Sequence, residues 1–89
     1  MKHELRFQQE AYEQLEEWKR VSPMVFKKIG ELIKSIDETP NSGIGKPEAL
    51  QKDWKGFWSR KITKKDRLIY RVQGNIIEIA SCKFHYDDK

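Results

Sequence analysis

Two amphipathic helical patterns near the N-terminus, followed by three strand-like segments rich in β-branched and aromatic residues, predict an α+β fold. The expected order is β-α-α-β-β-β, with two antiparallel helices packed on a mainly antiparallel four-stranded sheet. A Gln73-Gly74-Asn75 turn between the last two strand segments predicts that they form a hairpin, because Gly and Asn tolerate positive φ. At 89 residues the chain can bury one core, so a single domain is expected over 1–89, with 87–89 a short flexible tail.

Leu5-Arg6-Phe7-Gln8 alternates apolar and polar residues with the period of a half-buried strand. From Gln9 the period changes: Ala11, Leu15 and Trp18, with Tyr12 beside them, recur at helical spacing until about Arg20. Ser22-Pro23 starts a second helix, Ser as cap and Pro where no amide donor is needed. Its expected buried stripe is Phe26, Ile29, Ile33 and Ile36, flanked by Leu32, and Thr39-Pro40 stops it. Residues 40–56 hold Pro40, Gly43, Gly45, Pro47 and Gly56, and read as loop with room for one helical turn around Pro47–Gln51. Strands follow at 57–62, 67–72 and 76–84. In the middle one, Leu68, Tyr70 and Val72 share a face expected to lie under the helices, opposite Arg67, Ile69 and Arg71.

The composition excludes several classes. Hydrophobic residues make up 37% and charged residues 36%, too much apolar material for a disordered polymer. Neither a membrane-spanning run nor a signal-peptide core is present, so a cytoplasmic protein without membrane contact is expected. Cys82 is the one cysteine and excludes an internal disulfide. Charge is uneven: residues 1–40 carry 7 Lys/Arg against 8 Asp/Glu, and residues 41–89 carry 11 against 6. A basic half interleaved with Trp54, Phe57, Trp58, Tyr70, Phe84 and Tyr86 suits phosphates and stacked bases, and is equally compatible with a solvated basic face over ordinary core aromatics.

Phosphate-loop, HExxH, paired CxxC and nucleophile-elbow signatures are absent. Cys82 and His85 fall short of a zinc ligand set, so neither metal nor cofactor is expected. What remains is a group that suits metal-free RNA cleavage: a base for the 2′-hydroxyl, an acid for the departing 5′-oxygen, and a cation for the charge that builds on phosphate. Glu48, His85 and Arg67 supply those types. Each also has an ordinary reading. Glu48 fits the first turn of a short helix, Arg67 a strand-guarding surface cation, His85 a half-exposed residue near the chain end, and Tyr86 packing at a sheet edge.

The segments Gly43-Ile44-Gly45-Lys46-Pro47-Glu48-Ala49-Leu50, Gly56-Phe57-Trp58-Ser59-Arg60-Lys61-Ile62, Arg67-Leu68-Ile69-Tyr70 and Ala80-Ser81-Cys82-Lys83-Phe84-His85-Tyr86 occur in the order found in the YoeB (Txe) toxins of the RelE superfamily, and the chain resembles that family. The resemblance extends through Lys27–Lys34 and Thr39-Pro40. It implies a RelE/microbial-RNase-like fold and a type II toxin that enters the ribosomal A site, cleaves messenger RNA and inhibits translation. It further implies Glu48 as general base, His85 as general acid, Arg67 as transition-state stabiliser and Tyr86 as an orienting residue. Lys46, Arg60 and Lys61 are implied as RNA or phosphate contacts. The implied partners are messenger RNA on the ribosome, a cognate YefM-like antitoxin and a second copy of the chain, with the aromatics of 54–58 offering an apolar patch.

Two departures from the family pattern stand out. Asp87-Asp88-Lys89 follow the His-Tyr pair, and their carboxylates favour a cationic imidazole or repel RNA. Gln8-Gln9 stand where a capping Ser is expected. The alternative readings are a basic module that blocks translation by occupying RNA or the ribosome without cutting, and an inactive platform for an antitoxin.

Overall fold

A computed structural model describes residues 1–84. The elements run β1 (Glu4–Phe7), α1 (Gln9–Val21), α2 (Pro23–Glu38), β2 (Glu48–Ala49), a 3-10 turn (Lys52–Trp54), β3 (Trp58–Lys61), β4 (Arg67–Gln73) and β5 (Ile76–Ser81). One sheet has the strand order β1-β5-β4-β3-β2, parallel between β1 and β5 and antiparallel elsewhere. The expected α+β architecture therefore holds, with one strand more than anticipated. The extra strand is the two-residue β2, which the loop reading missed. Its pairing of Glu48 with Ser59 and Ala49 with Trp58 keeps this stretch extended, so the short helical turn forms at Lys52–Trp54 rather than at 47–51.

α1 has no side-chain cap from Gln8, as the departure at that junction implied. Ser22 Oγ accepts from Val25 N at 3.4 Å, and Pro23 opens α2. The α2 stripe is Ile29, Leu32, Ile33 and Ile36; Leu32 is fully buried rather than flanking, and Phe26 is half-buried. These residues meet Ala11 of α1 and Leu68, Tyr70, Ile77 and Ile79 of the sheet in the main core, with Leu15, Trp18 and Val72 packed against it. The face of β4 assigned to the helices is the one observed. Asp37, at the end of α2, accepts from the amides of Lys2 and His3 at 3.0 and 2.8 Å and from the His3 ring at 2.8 Å. Those donors hold its carboxyl down at about 2.

The opposite sheet face carries a smaller cluster of Leu50, Ile69 and Ala80, covered by Trp54 and Phe57 packed edge to face at 5.4 Å. The aromatics of 54–58, expected to be exposed, are thus half-buried. Trp54 and Phe57 roof this cluster, and Trp58 packs into the helix-side core. β5 contains an irregularity that simple alternation does not foresee: Tyr70 pairs with Ile79 while Ile69 pairs with Ser81, leaving Ala80 as an extra residue. Beyond it the side-chain phase is reversed, and Cys82 joins Ile77 and Ile79 in the helix-side core. Burial pushes the Cys82 thiol up to about 12, and its Sγ lies 3.6 Å from Ala11 O within the helix-side core.

Candidate active site

The register of the β2-β3-β4 corner brings the first candidates together. Glu48 lies opposite Ser59, and Lys61 opposite Arg67. Glu48 Oε1 and Arg67 Nη1 stand 3.7 Å apart, longer than a hydrogen bond, with the Glu48 side chain 61% exposed and that of Arg67 16% exposed. The carboxylate is open to a ligand while the guanidinium is held by its surroundings. Among the described residues, Arg67 Nε and Ser59 Oγ are buried without a hydrogen-bond partner, and both sit beside Glu48. A backbone amide fixes Arg67 further, donating to Phe84 O at 3.1 Å.

Glu48 and Lys46 are delivered by the loop after α2, and Arg60 sets that loop. The resemblance implied a phosphate contact for Arg60; the structure corrects this, because the side chain is fully buried. Its Nη1 donates to Ser35 Oγ at 2.7 Å and Ile44 O at 3.0 Å, and its Nη2 to Thr39 O at 2.8 Å and Ser42 O at 2.7 Å. Nε donates to Tyr70 Oη at 3.1 Å, and that hydroxyl donates to Pro40 O at 2.8 Å. The guanidinium fork thus gathers the carbonyls of residues 39–44 in place of a phosphate. Gly45 follows at φ 86°, where a Cβ would lie 2.7 Å from Leu32 and 3.1 Å from Arg60 Cβ. Lys46 has φ 53°, and Gly45 O accepts from Lys61 N at 2.7 Å, so the exposed residues Lys46 and Lys61 lie on adjoining backbones next to the Glu48–Arg67 pair.

His85 and Tyr86, expected as acid and orienting residue, lie outside the described residues, as do Asp87, Asp88 and Lys89. Three side chains not anticipated as functional hold the segment leading to them. Gln14 is buried in α1 and its Oε1 accepts from Cys82 N at 2.7 Å, while Trp18 Nε1 donates to Cys82 O at 2.8 Å. Asp66 is 3% exposed; one carboxylate oxygen accepts from Phe84 N at 2.7 Å and the other from Thr63 Oγ1 at 2.7 Å. Phe84 adopts φ 66°, a strained conformation for a bulky residue, held between Asp66 and the Arg67 amide. The available sequence signals were slight: a Gln inside an apolar helical stripe, and a lone acid in the basic run Lys64-Lys65-Asp66-Arg67.

A family model described as YoeB-like toxin of bacterial type II toxin-antitoxin system matches residues 7–86. The chain belongs to this toxin family. It is 42% identical over 82 residues to the toxin YoeB of Escherichia coli (strain K12), covering 92% of this chain and 98% of that one. Among solved structures, a YoeB/ParE toxin from Agrobacterium tumefaciens is 39% identical with TM-score 0.92, covering 93% of this chain and 99% of that one. YoeB of Staphylococcus aureus, solved as a dimer and in a heterotetrameric complex with YefM, is 41% identical with TM-scores of 0.91 and 0.89, covering 97% of this chain and all of that one. The fold of these relatives agrees with the expected α+β architecture of two helices on one sheet, and among the described residues no helix is long and apolar enough to cross a membrane.

Proposed function

We propose that this toxin is a ribosome-dependent, metal-independent endoribonuclease that cuts messenger RNA in the A site. The observation that carries the reading is the pairing of an exposed Glu48 carboxylate with a largely buried Arg67 guanidinium at 3.7 Å, on the sheet face away from the helices. Glu48 takes the proton from the 2′-hydroxyl, the 2′-oxygen attacks phosphorus, and Arg67 stabilises the phosphorane-like transition state. His85 protonates the departing 5′-oxygen, which leaves a 2′,3′-cyclic phosphate and a 5′-hydroxyl. Tyr86 orients the substrate, and Lys46 and Lys61 hold neighbouring phosphates. The protein works in the cytoplasm as a homodimer and is neutralised by an acidic YefM-like antitoxin, in line with the dimer and YefM complex of the S. aureus relative.

The test is mapping of 5′ ends on a defined messenger in a purified translation system, with wild-type protein beside His85→Ala. Ribosome-dependent cuts with 5′-hydroxyl ends, lost in the variant, are the expected result. Ends bearing 5′-phosphate overturn the mechanism, and stalled translation without new ends replaces the nuclease by an occluding binder. Glu48→Ala and Arg67→Ala each remove growth inhibition while the domain stays folded.

A further inference from the structure

A cleft of about 380 Å³ opens between α2, the Gly45–Lys46 turn and the β3–β4 connection, and Lys61 in its lining pairs across the strands with Arg67. Lys28, Lys46, Lys61 and Lys64 converge on it from three parts of the fold, with Ile62 and Thr63, and among the described residues no acid lines it. Among the described residues none of these four ammonium groups makes an ion pair. The nearby Asp66 is buried and has both carboxylate oxygens bonded to Thr63 and Phe84. Like charges gathered without a counter-charge repel one another. Here the backbone holds them together, through the Lys61 N to Gly45 O bond and the Arg60 anchor on Ile44 O.

We propose that this cleft is a second phosphate-binding site, which grips the RNA backbone next to the scissile phosphate and to which Lys28 and Lys64 contribute. The proposal rests on the RNA-cutting reading of the Glu48–Arg67 site. Lys46 is two residues from Glu48, at most about 7 Å along the chain, and Lys61 is the cross-strand partner of Arg67. A strand bound at the centre therefore meets the cleft within a step or two of its backbone. Ammonium groups on flexible stems neutralise phosphates without reading bases. An acidic protein segment is the less suited occupant, because such a segment needs apolar anchors and, among the described residues, Ile62 is the one large apolar side chain lining the cleft.

The probe is a fluorescein-labelled single-stranded RNA with 2′-O-methyl groups, which cannot undergo 2′-hydroxyl attack, titrated with the full chain at a series of KCl concentrations. Lys28→Gln/Lys64→Gln is expected to make the slope of log Kobs against log[KCl] shallower by about 1.4, roughly 0.7 for each phosphate no longer neutralised. Lys27→Gln/Lys34→Gln removes the same charge beside the apolar groove that α2 forms with Leu5, Phe7 and Leu15, and is expected to keep the wild-type slope. An unchanged slope in the first pair, or an equal loss in both, overturns the proposal. So does an unchanged RNA slope with weakened binding of an acidic partner protein. Because the probe is uncleavable, the slope is read whether or not the chain cuts RNA. Intact messenger ends together with a lysine-dependent slope would refute the nuclease and retain the cleft.

Discussion

Arg60→Lys separates a core role from a phosphate-binding one, because it keeps the positive charge and removes the planar fork. Wild-type Arg60 makes five hydrogen bonds of 3.1 Å or shorter, spread over three nitrogens. An ammonium group has three donors on one atom and cannot reach Tyr70, Ser35 and the carbonyls of 39–44 together. At least two bonds are lost, each worth about 1.5–3 kcal/mol for a charged donor. The carbonyls of exposed Thr39, Ser42 and Ile44 recover part of that by hydration. The net destabilisation is about 3 kcal/mol, a large share of the roughly 4–13 kcal/mol available to a domain of this length. At roughly 4–8 °C per kcal/mol, the thermal midpoint falls by about 12–24 °C. Thermal and urea unfolding followed by circular dichroism measures this. A midpoint within about 2 °C of wild type, combined with weakened RNA binding, would refute the core assignment and return Arg60 to the phosphate.

Three further perturbations probe the supports of the site. Asp66→Asn keeps the shape but weakens the grip on Phe84 N, and is expected to lower the cleavage rate about 10- to 100-fold with little change in RNA affinity; an unchanged rate in single-turnover assays removes Asp66 from the positioning role. The lowered Asp37 pKa contributes stability that is fully present above about pH 4 and is lost as pH falls towards about 2, since the unfolded carboxyl takes up its proton first. Asp37→Asn is expected to flatten that part of the stability curve in acid-titrated urea melts. Cys82 has its thiol raised to about 12 and is fully buried, so thiol reagents are expected to label it only on unfolding, and Cys82→Ser to cost about 1–3 kcal/mol in urea unfolding.

Local chemistry was legible from the sequence where a local rule governs it. Ser22-Pro23 started α2, Gly74 at φ 58° closed the β4–β5 hairpin, and the alternation of Leu68, Tyr70 and Val72 chose the buried face. Features that depend on distant chain segments were not. β2 is too short to carry a period and exists because Ser59 and Trp58 lie opposite it. Arg60 reads as a surface cation among Ser59 and Lys61, since the carbonyl cage that buries it comes from residues 39–44. The extra residue at Ala80 reverses the phase of everything after it, which no counting of alternate positions could anticipate. Within the candidate site, Glu48 and Arg67 were singled out by residue type and by motif resemblance, and the strand register brings them together. Asp66 and Gln14 were passed over because their function is to hold backbone.

The parallel pairing of β1 with β5 sets an order of assembly. β5 is flanked by β1 on one side and β4 on the other, yet it is the last strand among the described elements to be synthesised. While a nascent chain still lacks residues 76–84, β1 has no neighbour to bond, α1 has no Cys82 to grip through Gln14 and Trp18, and Arg67 has no Phe84 carbonyl. Such long-range closure makes folding slow relative to local hairpins. The ribosome that makes this toxin therefore finishes β5 before β1, α1 and the segment leading to His85 can be tied together, and the Arg67 backbone gains its Phe84 contact after its β2 and β3 neighbours have been made.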